Sequence, residues 1–105
     1  MSRKDEKIEA VIQRAAGDFF TRSLNVLALV TVAKVELQKH GSEAVVFLSV
    51  LPDNLSEEVY KQARYKRSDL WDYLNEKTGL GKIPKIDVAL TSLDKVSPDE
   101  ELEKA

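Results

Sequence analysis

The chain has 105 residues, 43 % of them hydrophobic, and a formal net charge of −2, which is enough for one core in one small domain. It has no cysteine, which excludes a disulfide framework, a thiolate metal site and a cysteine nucleophile. The charged start, MSRKDEKIEA, does not read as a signal peptide, and the longest apolar stretch, Val26 to Ala33, falls far short of the roughly 20 residues of a membrane helix. A cytoplasmic protein with no membrane partner is expected.

In chain order, the first element is a helix. Ile8, Val11, Ile12, Ala15, Ala16, Phe19 and Phe20 follow a 3.6-residue period, with Ser2 as a possible cap and Asp5 and Glu6 suited to the positive end of the dipole. A strand follows over Val26 to Gln38. Its second half alternates, placing Ala33, Val35 and Leu37 on one face and Lys34, Glu36 and Gln38 on the other. KHGS, residues 39 to 42, is a turn in which Gly41 can take a positive φ. AVVFLSVL, Ala44 to Leu51, is apolar on both faces apart from Ser49, the mark of a central strand, and Pro52 ends it. The short link makes it antiparallel to its predecessor.

Asn54 or Ser56 is then the expected cap of a helical region with Glu57 and Glu58 in its first turn. Its stripe of Val59, Tyr60, Ala63, Leu70, Trp71 and Leu74 is interrupted at residues 64 to 67, so it holds one long helix or two short ones. Gly79 is the expected C-cap, GLGKIPK a loop, and IDVALTS, Ile86 to Ser92, the last strand. A helical crossover makes that strand parallel to AVVFLSVL. The sum is a two-layer α+β domain over residues 1–96: α-β-β-α-α-β, with a three-stranded mixed sheet in order 1-2-3 and helices on one face. The acidic segment 97–105 is too polar to pack and is expected to be disordered.

The net charge hides an asymmetry. Residues 97–105 hold four acids and one base, whereas Tyr60 to Lys85 holds seven bases against three acids, a net of +4. Arg64, Lys66 and Arg67 crowd the interruption in the helical stripe, with Tyr65 among them. Lys82 and Lys85 follow in the loop. Such a cluster can neutralise phosphates and stack a base, or it can be a solvated helix face held by weak pairs of Arg64 with Asp72 through Ser68 and of Lys66 with Asp69. Trp71, Phe19, Phe20 and Phe47 fall at core spacings and read as packing. GLGK lacks the strand, the full spacing and the following helix of a phosphate loop. His40 is the one histidine and has no clustered ligands around it. Asp69 and Asp72 have no pocket or partner residue that would make them catalytic. No catalytic residue, metal or cofactor is expected.

LVTVAKVELQ followed by AVVFLSVLPD, then Arg67, Ser68 and Leu70 in RSDL, then Ile83 and Pro84 before IDVAL, together resemble the ribosome-binding factor A family from about Lys7 to Leu93. The resemblance implies a type II KH-like fold. It also implies a non-catalytic ribosome assembly factor that binds small-subunit (16S) rRNA or the immature small subunit, as a monomer without a small-molecule substrate. RNA-binding residues are then Arg64, Tyr65, Lys66, Arg67, Lys82 and Lys85. One departure stands out. The family bends its helix pair at an Ala-x-Gly, and here no glycine follows Ala63. A KH-like protein-interaction module of the translation machinery, without direct RNA binding, is the other reading.

Overall fold

The computed structural model describes residues 3–91. It contains α1 (Arg3–Ser23), β1 (Leu29–Gln38), β2 (Glu43–Leu51), α2 (Ser56–Tyr65), α3 (Arg67–Lys77) and β3 (Lys85–Leu90), in the expected α-β-β-α-α-β order. The sheet runs β1-β2-β3, with β1 antiparallel and β3 parallel to the central β2. Ser2 and the acidic segment 97–105 lie outside the described residues. Among those described, no helix is long and apolar enough to cross a membrane.

β2 organises the core because its two faces differ. Ala44, Val46, Leu48 and Val50 are buried toward the helices. They meet Ile12, Ala16, Phe19 and Phe20 of α1, Val59 and Ala63 of α2, Leu70 and Leu74 of α3, and Ile86 and Val88 of β3 in one cluster. Phe47 does not join them. Strand alternation turns it to the opposite face of the sheet, half-buried, with the Lys34 ammonium 4.8 Å from its ring centroid. Lys34 also pairs with Glu36 there at 2.9 Å.

A bulge tunes β1 to this core. Val32 pairs with Leu48 and Lys34 with Phe47, which leaves Ala33 without a partner. The extra residue shifts the phase by one. Buried Val32 before it and buried Val35 after it therefore face the same helical layer, and Ala33 is not simply in register with Val35 and Leu37. α1 secures the irregularity. The Gln13 amide donates to the carbonyls of Val32 (3.2 Å) and Ala33 (3.4 Å), and the Glu9 carboxylate accepts from Leu37 N–H (2.9 Å). The strand begins at Leu29 rather than Val26. The preceding link is held elsewhere: the Gln62 side chain accepts from Asn25 N–H at 3.0 Å and donates to Asn25 C=O at 3.4 Å.

Three local signals set the connections. Gly79 takes φ +73° just past α3, whose last turn is closed by the Thr78 hydroxyl donating to Leu74 C=O at 2.7 Å. In the β1–β2 turn Gly41 has φ +84°, but Lys39 (52°) and His40 (58°) are also left-handed, as the central pair of a type I′ turn requires. At the start of α2 neither Asn54 nor Ser56 caps with its side chain. A 3-10 turn, Asp53–Leu55, leads directly into the helix. β3 ends at Leu90, short of the expected Ser92, which lies outside the described residues.

Candidate nucleic-acid interface

The break in the helical stripe is a corner. α2 ends at Tyr65 and α3 starts at Arg67, leaving Lys66 alone between them at φ −94°, ψ 15°. Its N–H is shared between the carbonyls of Gln62 (3.1 Å) and Ala63 (3.2 Å), and its own carbonyl accepts from Leu70 N–H at 2.9 Å. This negative-φ backbone is that of the third residue of a type I turn, which most L-residues adopt, so the bend needs no glycine. Leu70 resumes the buried stripe, while Tyr65 is left 86 % exposed.

Between the corner and the start of β3 lies an open groove of about 550 Å³, lined by Arg64, Tyr65, Arg67, Ser68, Trp71, Lys85 and Ile86. Arg64 donates to the Tyr60 hydroxyl at 3.1 Å, its guanidinium carbon 5.8 Å from the ring centroid. That hydrogen bond holds the Arg64 pKa above its ordinary value. Arg67 is more constrained. Its Nε donates to Arg64 C=O at 3.1 Å and its Nη1 to Asp87 Oδ1 at 3.2 Å. Asp87 Oδ1 also accepts from Val88 N–H at 2.9 Å. Arg67 thus staples the helical corner to β3. Among the described residues the pairs Arg64–Asp72 and Lys66–Asp69 are not formed.

Four of the six candidate residues, Arg64, Tyr65, Arg67 and Lys85, therefore share the groove. Lys66 lines a neighbouring depression with Ser23, Asn25 and Lys61. Lys82 lines a separate cleft beyond the C-terminal end of α3. The sequence pattern places Trp71 in the core, but the structure puts it at the surface, 38 % exposed, on the groove wall. The signal was present: Trp71 lies one helical turn beyond Arg67 and Ser68, on their flank of α3 rather than on the stripe of Leu70 and Leu74. Phe19 and Phe20 are in the core as expected. His40 is exposed in its turn, and among the described residues no cluster could hold a metal ion. The arrangement brings two guanidinium groups and an ammonium around an indole and a phenol. It can therefore hold an anionic, flat-faced ligand.

A three-stranded mixed sheet with all helices on one face, and a helix–helix corner against the parallel strand pair, is a type II KH-like fold. Among solved structures, the fold is that of ribosome-binding factor A from Thermus thermophilus. The TM-score is 0.71 at 20 % sequence identity, over 82 % of this chain and 93 % of that one. A Thermotoga maritima protein provisionally assigned as a ribosome binding factor A superposes with a TM-score of 0.60 at 19 % identity, over 81 % of this chain and 80 % of that one. No protein-family model and no curated protein matches the sequence. At these identities the likeness is one of fold.

Proposed function

We propose that this chain is a ribosome-associated, non-catalytic factor that binds small-subunit rRNA, or the immature small subunit, through the corner groove. The observation that carries the reading is the groove's composition. Arg64 and Lys85 flank Tyr65 and Trp71, so phosphates can be neutralised where unpaired bases can stack. A KH-like corner beside a parallel strand pair is suited to single-stranded or splayed RNA rather than to a duplex. The names of the structural neighbours add the ribosome as the partner. In this reading the chain acts as a cytoplasmic monomer without a cofactor, with residues 1–96 as the RNA-binding domain.

Trp71 is the one tryptophan, so its fluorescence reports the groove directly. Titration with a single-stranded oligoribonucleotide is expected to quench it saturably, with a log–log salt slope of about −2 to −3 from three or four phosphate contacts. Co-sedimentation with immature small subunits then tests the partner. The second reading, a protein-interaction module without direct RNA contact, draws support from Arg67, whose guanidinium is already engaged by Asp87. Co-sedimentation with subunits while the fluorescence stays unchanged in RNA alone would decide for that alternative.

A further inference from the structure

Beyond the C-terminal end of α3 lies the largest of the described cavities, a cleft of about 900 Å³. It is bounded by the first turns of α1, the end of β1, the β1–β2 turn and the α3–β3 link. Its floor is aliphatic: Ile8, Val11, Leu37 and Leu80 are half-buried there, and Ile83 lies nearly covered beneath them. Its rim carries Lys4, Lys7 and Lys82. Among the described residues none of these lysines has an ion pair. Asp5 is the one acid on the described lining. Gly79 and Gly81 leave the link side open, because a Cβ built on either would meet nothing within 4 Å.

We infer that this cleft docks an acidic segment of a partner protein, with one or two leucine or isoleucine side chains set among glutamates or aspartates. The aliphatic floor takes the apolar side chains, and the lysine rim takes the carboxylates. Nucleic acid fits this cleft less well than the groove: among the described residues its only aromatic ring is the His40 imidazole, against an indole and a phenol in the groove. The inference concerns a different surface from the RNA groove and stands or falls separately from it.

The test is titration of the isotope-labelled full chain with a short blocked peptide, Glu-Glu-Leu-Glu-Glu-Leu-Glu, read as amide chemical-shift changes. Saturable shifts are expected at Gly41, Gly79, Leu80 and Ile83, with a dissociation constant of about 1 mM or below, as suits a small exposed site. Replacing both leucines of the peptide by serine is expected to weaken binding at least about tenfold, the effect of removing buried aliphatic surface. Lys4→Glu with Lys82→Glu is expected to do the same. The peptide change leaves the protein untouched, so it remains decisive even if the protein variant fails to fold. Absence of saturable shifts at about 5 mM peptide overturns the inference, as do shifts centred on Tyr65 and Trp71. An unchanged affinity for the serine peptide reduces the cleft to an anion surface. Equal shifts with single-stranded RNA make it a second nucleic-acid contact. If Glu100→Gln, Glu101→Gln and Glu103→Gln together strengthen peptide binding about tenfold, the occupant is the chain's own acidic segment and the partner assignment fails.

Discussion

The two ends of α3 present cations to solvent in different company. At its start, Arg64 and Lys85 flank Tyr65 and Trp71. Past its end, Lys4, Lys7 and Lys82 surround Ile8, Val11, Leu37 and Leu80. Charge alone gives both surfaces the same description, since each attracts anions. What lies between the charges separates them. Aromatic faces suit bases, and an aliphatic floor suits protein side chains. Arginine offers a planar fork and lysine a mobile point charge. In the proposed reading one short helix separates a groove for RNA from a cleft for protein, and Lys82, grouped with Lys85 by sequence proximity, lines the cleft and not the groove.

The largest expected effect tests that division directly. Arg64→Glu with Lys85→Glu should weaken single-stranded RNA binding by about 100-fold or more, because two attractive phosphate contacts become repulsive. Peptide binding at the cleft should remain within about twofold. A fall in both titrations would show one continuous anion surface. Next in size, Trp71→Ala should lower RNA affinity by about tenfold, the scale of one stacked base. It should cost only about 1 kcal/mol in denaturant unfolding, against about 2–5 kcal/mol for Leu70→Ala one residue earlier. Equal stability losses at the two positions would return Trp71 to a structural role.

Arg67 sharpens the comparison from inside the groove. A double-mutant cycle of Arg67→Ala with Asp87→Ala should give a coupling of about 0.5–1 kcal/mol in stability, since both side chains are partly exposed. If the staple is its main role, Arg67→Ala should weaken RNA binding less than Arg64→Ala does. The smallest effect concerns the cleft wall. His40→Gly should raise the denaturation midpoint by about 0.5 kcal/mol equivalent, because His40 carries φ 58° that glycine adopts without strain.

Much of the fold was legible because single residues carried strong local constraints. The two-sided apolar run of β2 required a central strand, the crossover required a parallel β3, and Gly79 marked the end of α3. The misplacements have a common physical origin. Simple periods assume unbroken elements, and this chain changes phase twice, at Ala33 in β1 and at Lys66 between α2 and α3. Neither position carries a glycine or proline to announce it. A backbone that most L-residues can adopt leaves no compositional trace, so the corner could be suspected only from its interrupted stripe. Phe47 and Trp71 show the related limit. Hydrophobicity says that a side chain prefers burial, but strand parity and helix phase decide whether burial is available. The arginine cluster was visible as charge. Its division between an Arg64 held by Tyr60 and an Arg67 stapled to β3 depends on Asp87, 20 residues away in sequence.

The hold of α1 on β1 has a consequence for how the protein behaves in company with itself. β1 is an edge strand, and an edge with free amides and carbonyls is a template for another chain. Here Glu9 and Gln13 occupy part of that template, and the bulge at Ala33 kinks the rest. Colloidal solubility therefore does not rest on the small net charge alone. It also depends on two side chains of the first helix, and Glu9→Ala with Gln13→Ala removes that protection without touching the core.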